Sequence, residues 1–396
     1  MSATDSQSPE KEEIIQHPKS RRGLILGVVA VVVVVALVGG GLATNWFGLG
    51  SSGTQAITLL GAGSTFAYPI ITLWAAQYKN ATGVQVNYNG IGSGGGINGI
   101  EQKTLDFGGT DAPLNGTAHG QYPSLLTIPE SLGAITVAYN LPGVPIHVNL
   151  TGPVVAQIFM GNITNWNDTA IKSLNPGVSF PDATIIPVHR SDSSGTTFAF
   201  SDYLSHISTT FKQIYGTSKT INWPKSELAG NGNQGVANTV QQTKNAVGYV
   251  ELAYALQIGM SYAKIMNHDG NNYVLPTLQT TQADAANASA TLPAGNGDWS
   301  HVTIVNAPGS NSYPICTFTY LLVYLELNVY PSGQGSGQMN QAKAQALVAF
   351  LWWAIHSGQP YAKQLSYVPL PTTVVTNDET TIRSMTFNGA ALQTGA

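Results

Sequence analysis

The stretch ITLLGAGSTFAYPIITLWAAQYKN, Ile57 to Asn80, carries the architecture in one reading. ITLLGAG has the short apolar run of a strand, and FAYPIITLWAAQYKN has the longer amphipathic spacing of a helix. The junction between them is small and polar, so Ser64 or Thr65 is expected to cap a helix starting near Phe66, with Pro69 close enough to the start to lose nothing by lacking an N–H. The pattern recurs downstream. VQVNYNG, TIIPVHR and NAVGYVELA read as strands, and TFAFSDYLSHI and AKAQALVAFLWWAIHSG as helices. Such alternation is the signature of an α/β protein.

Composition limits what such a protein can do. The chain has 396 residues, room for two or three domains at roughly 150 residues each. Charged residues make up only 9%, with a net charge of -4, so no basic field exists to gather nucleic acid, which is excluded as a partner. The single cysteine, Cys316, lies in the apolar run YPICTFTYLLVY and reads as an inert strand residue. The histidines show no paired spacing, and neither a metal nor a cofactor is expected. Trp352 and Trp353 read as helix core.

The N-terminus addresses the compartment. Residues 23–43 form 21 consecutive apolar or glycine positions, enough to cross a bilayer. Lys19, Arg21 and Arg22 precede the run and the next basic residue is Lys79, which puts the tail 1–22 in the cytoplasm and everything after 43 outside. The run is longer than the hydrophobic part of a cleaved signal, so a retained single-pass anchor is expected, with 44–56 as a flexible tether. Sequons at Asn80, Asn115, Asn149, Asn162, Asn167 and Asn287 suit an extracellular chain.

Three strand-to-helix junctions share one grammar: LLGAGSTFAYP, NYNGIGSGGGINGI with Ser93 opening a glycine-rich turn, and RSDSSGTTFAF with Ser194, Gly195, Thr196 and Thr197 at a helix start. Ligands of open α/β sheets collect at such ends. A helix start offers free N–H groups and about half a positive charge, so three together make an anion site that needs few charged side chains. Arg190 adds charge-assisted hydrogen bonds, and Asp192 stands where it can hold the guanidinium steady. Asp111, in LDFGGTDAPL, looks out of place there. A carboxylate repels a bare anion but accepts a hydrogen bond from one that keeps a proton, which favours phosphate over sulfate.

GAGSTF, NGIGSGGG, DFGGTDAPL, RSDSSGTTFAFSDYL and AVGYVELAYA, in this order from 57 to about 375, resemble the phosphate-binding receptors of ABC phosphate importers, the PstS family. The resemblance implies a two-lobed periplasmic-binding-protein fold of type II with a hinge, binding inorganic phosphate between lobes and handing it to a membrane permease. It implies that Thr65, Phe66, Ser93, Asp111, Arg190, Ser194, Gly195 and Thr196 line the site. It also implies that lobe 1 takes 57–138 and 314–396 and lobe 2 takes 139–313, with crossings at AITVAYN (134–140) and PICTFTY (314–320). A monomer without enzymatic activity is expected, tethered to the outer face of the cell membrane.

Three rival readings remain. Residues 90–95 and 94–99 both match the GxGxxG of dinucleotide enzymes, but the fingerprint belongs in the first strand-to-helix turn, which here is GAGSTF. A phosphatase could use the same anion site with Ser93 or Ser194 as nucleophile, yet no base or metal cluster stands near either in sequence, and strand alternation turns His189 away from Arg190. A binding protein for another tetrahedral oxyanion is the third.

Overall fold

The computed structural model describes residues 57–114, 116–288, 292–330 and 339–394. The first strand, β1 (Thr58–Gly63), leads through Ser64–Ala67 into α1 (Tyr68–Thr82), which carries Pro69 in its first turn and stops at Gly83, a left-handed residue (φ 76°). Then follow β2 (Gln85–Gly90), α2 (Ser93–Glu101), β3 (Phe107–Thr110) and the long β4 (Leu125–Tyr139). The middle of the chain supplies β5 (Ile186–Arg190), α3 (Gly195–Ile207), β6 (Leu228–Gly230), α4 (Gly232–Gln242), β7 (Ala246–Glu251) and α5 (Leu252–Gln257). The chain returns as β8 (Cys316–Tyr324) and α6 (Gln341–Ile355).

Among the described residues the strands run in the order β2-β1-β3-β8-β4-β7-β5-β6, with Ser261–Tyr262 added beside the end of β4. β1 pairs in parallel with β2 and β3, and β5 with β6 and β7; β8 and β4 run antiparallel to their neighbours. β4 serves both halves. Its residues Leu125–Ala134 pair with β8 and Ile135–Tyr139 with β7, so one fully buried strand passes from the first half to the second. The register of β4 against β8 slips at Glu130, between the pairs Ser131–Thr319 and Pro129–Tyr320. A bulge re-aims side chains, and here it accompanies an acid buried in the middle of the sheet.

Among the described residues two apolar clusters hold the fold together. The larger one packs Trp74, Phe107 and Phe350 of the first half together with Phe159, Trp166 and Phe200 of the second, and a smaller one fills the space under α4 with Val188, Val236, Val240 and Val250. Cys316 is buried at the start of β8, and Trp352 and Trp353 lie against the core on α6, as read from the sequence. NAVGYVELA is a strand only from Ala246 to Glu251, and α5 begins at Leu252. The N-terminal span 23–43 lies outside the described residues; among those described, no helix is long and apolar enough to cross a membrane.

Candidate functional site

All three junctions converge. At the first, α1 starts at Tyr68 rather than near Phe66, and its cap residue, Ala67, makes no side-chain capping bond. Of the two caps expected, Ser64 makes the i to i+3 bond just ahead of the helix and Thr65 does not. Ser64 Oγ accepts from the Ala67 amide (3.1 Å) and donates to Asp111 Oδ1, while Thr65 turns across to Asn233. Phe66 sends its ring into the core, edge-on to Tyr367 at 6.0 Å, and its carbonyl accepts from the Tyr367 hydroxyl (2.5 Å).

The glycine-rich second junction is helix, not a turn: Ser93 and the three glycines after it form the first turn of α2. Space is the reason. A Cβ on Gly96 would stand 2.5 Å from the Gly109 carbonyl oxygen and 2.7 Å from the Gly63 Cα, so only glycine lets α2 press onto β1 and β3. That approach buries Ser93, whose Oγ accepts from the Asp111 amide (3.2 Å) and the Gly195 amide (3.1 Å).

Asp111 follows β3 and is 1% exposed, so it faces the cluster and not solvent. Its Oδ1 accepts from Ser64 and from Thr319 Oγ1 (3.0 Å), and its Oδ2 lies 3.5 Å from Ser93 Oγ. Burial raises its pKa to about 6, against the lowering pull of the Ser64 and Thr319 hydroxyls and the Arg190 charge. Behind it, Thr319 Oγ1 also contacts Glu130 Oε1 (3.2 Å), and burial pushes Glu130 to about 8.

The opposite wall carries the cation. Arg190 ends β5; its Nε and Nη2 fork onto the two oxygens of Asp192 at 2.7 and 2.5 Å, and its Nη1 donates to Thr196 Oγ1 at 3.1 Å. Burial works against the Asp192 charge, but the Arg190 guanidinium overcomes it and holds that carboxyl below the usual range. Ser194 caps α3 by accepting from the Thr197 amide (3.0 Å). Gly195 must be glycine: a Cβ there would meet Ser93 Oγ at 2.5 Å and Asp111 Oδ2 at 2.6 Å. His189 turns to Trp223, as strand alternation requires.

The structure thus brings Thr65, Ser93 and Asp111 against Arg190, Ser194, Gly195 and Thr196, with Asp192 behind the arginine. It also adds residues the sequence reading missed. Asn233 opens onto both threonines from the start of α4, and Thr319 reaches Asp111 from β8. Signals for both existed: AGNGNQGV is a fourth strand–glycine–helix junction, and PICTFTY alternates Thr317 and Thr319 with apolar residues.

The chemistry is that of an anion clamp. Hydroxyls, amides and a guanidinium supply donors, and one carboxylate, Asp111, supplies the acceptor. The model of the PBP superfamily domain matches residues 50–355. The phosphate-binding protein PstS of Xylella fastidiosa is 41% identical over 328 residues, 81% of this chain and 84% of that one. This chain belongs to the PstS family of the PBP superfamily. The PstS of Methanocaldococcus jannaschii is 34% identical over 385 residues, 93% of this chain and 95% of its own length. A high-affinity periplasmic phosphate-binding protein solved with phosphate shares the fold of this PstS-family chain, with a TM-score of 0.66 at 17% identity over 82% of this chain and 93% of that one.

Proposed function

We propose that this chain is an extracytoplasmic receptor that binds inorganic phosphate in the cleft between its lobes and delivers it to an ABC-type phosphate importer, without covalent chemistry. The observation that carries the reading is a buried acceptor, Asp111, held by the Ser64, Thr319 and Ser93 hydroxyls, with Ser93 in turn bonded to the Gly195 amide at the start of α3. Phosphate near neutral pH keeps a proton to give to that carboxylate; sulfate has none. Arg190, with its fork held by Asp192, and the Ser194, Gly195 and Thr196 end of α3 bind the anion from one side. Thr65 and Ser93 bind it from the other. Since the Phe66 ring is buried, Phe66 contributes through its backbone amide.

The lobes in this reading are 57–138 with 314–396, and 139–313. The change of partner along β4 at Ala134 and Ile135, close to the predicted crossing, supports that division and a type II layout. Such lobes close by hinge motion, and a permease can read the loaded state by shape. Residues 23–43 anchor the receptor, as a monomer, with its N-terminus in the cytoplasm; their length and the basic residues before them support this. Calorimetry with phosphate, sulfate and a phosphate ester tests the function. Phosphate alone should bind well; equal sulfate binding defeats the selectivity argument, and turnover of the ester restores a phosphatase.

A further inference from the structure

We propose that Asn233 is a positioning residue that fixes Thr65 and Thr196 as hydrogen-bond donors, so that the two hydroxyls on opposite walls both point their protons at the anion; this rests on the phosphate reading above. A hydroxyl has one proton and two lone pairs, and alone it can turn either face to a ligand. An anion accepts and never donates where it is unprotonated, so a hydroxyl facing it with a lone pair repels it.

Asn233 removes that freedom. Its backbone amide and its Nδ2 both donate to Thr65 Oγ1, each at 3.1 Å, which occupies both lone pairs of that hydroxyl. The other proton of Nδ2 goes to Thr196 Oγ1 at 3.0 Å, which already accepts from Arg190 Nη1 at 3.1 Å. Thr196 is then saturated as an acceptor too. Each threonine has only its proton left to offer.

The orientation of the amide is itself fixed. Asn233 Oδ1 accepts from the Glu251 backbone N–H at 2.9 Å, a donor that cannot become an acceptor, so the amide cannot flip to present oxygen to the threonines. Asn233 is wholly buried, and leaving any of these partners unsatisfied would be costly. Because Thr65 follows β1 while Asn233 starts α4, the polarity is established only when the two walls meet, which links closure to readiness for the anion.

The test is a double-mutant cycle on the full chain, read by calorimetry with inorganic phosphate. Asn233→Ala should weaken phosphate binding roughly tenfold or more. Asn233→Asp keeps the size and the acceptor for the Glu251 amide but offers oxygen to both hydroxyls, and should weaken binding further. In Thr65→Val and in Thr196→Val backgrounds the cost of Asn233→Ala should shrink, because the hydroxyl it orients is gone. An equal cost in all backgrounds would mean a merely structural role and overturn the inference, as would unchanged affinity in Asn233→Ala. If Asn233→Ala does not fold, Asn233→Asp carries the same comparison. Failure of the unmutated protein to bind phosphate would instead overturn the functional reading itself.

Discussion

Two aspartates stand in the candidate site and behave in opposite ways. Asp192 grips the Arg190 guanidinium with both oxygens, and that partner keeps it charged at any pH near neutral. Asp111 is bonded by hydroxyls and has no ion-pair partner of its own among the described residues, and burial lifts it to about 6 against the pull of those hydroxyls and of the Arg190 charge. One carboxylate neutralises and aims a cation, while the other is the one that the proposed function assigns to the ligand. The contrast teaches that, in the proposed phosphate reading, net charge does not drive binding, since Arg190 is already balanced by Asp192 and Asp111 adds a further carboxylate. On that reading, directional N–H and O–H groups would supply the attraction, and Asp111 the choice among anions.

The strongest way to break this division is to remove its cation. Arg190→Ala should weaken phosphate binding by roughly a hundredfold or more, since truncating one partner of a buried, hydrogen-bonded charge pair strands the other. An unchanged dissociation constant in calorimetry would remove Arg190 from the site. Next in size is Asp111→Asn, expected to reduce the preference for phosphate over sulfate by about tenfold while costing phosphate binding less. Parallel loss for both anions would reduce Asp111 to a structural part.

The same contrast can be probed by pH alone. As pH falls through about 6 in the unmutated protein, Asp111 takes up a proton and becomes a donor, so sulfate binding should rise. Asp192, held low by Arg190, stays charged over this range. Sulfate titrations at acid and mildly alkaline pH that gave equal affinity would contradict the assignment.

Stability should show the buried acids. Burial raises Asp111 to about 6 and Glu130 and Glu251 to about 8, so in each case the folded protein binds the proton more tightly than the unfolded chain. The stability they allow is complete below the ordinary carboxyl range and is lost as pH rises through those folded values. Melting temperature should therefore fall between about pH 5 and pH 9, and Glu130→Gln should flatten part of that fall; a melting curve that rises over this range would refute it. The smallest effect expected is that of salt: phosphate affinity should change by less than about threefold between roughly 20 and 200 mM, because buried pairs are poorly screened.

Much of this was legible because it is local. The strand in ITLLGAG, the helix in TFAFSDYLSHI and the anion-binding grammar of the junctions depend on periodicity and on residues within a turn of one another. Arg190 and Asp192 are two residues apart, so their pairing was readable too. The glycine run after Ser93 was misread as a turn for a good physical reason: glycine is a poor helix former, and it takes contacts made only on folding, of Gly96 with Gly63 and Gly109 and of Gly94 with Ser193, to favour it there. Ser64 and Thr65 were read as caps because capping is the common local use of a hydroxyl there; Ser64 does accept from the Ala67 amide but gives its proton to Asp111, and Thr65 is claimed by Asn233.

The sequence by itself determined the alternation of strands and helices, the near absence of charge, and a set of hydroxyl and glycine junctions fit for an anion. Tertiary structure alone decided which proton points where. Hydrogen-bond polarity depends on partners that meet only on folding: Asn233 with Thr65 and Thr196, Thr319 and Ser64 with Asp111, Ser93 with Gly195. No periodicity encodes those meetings, because each joins segments that lie dozens to hundreds of residues apart and are held by the packing of separate elements around one sheet.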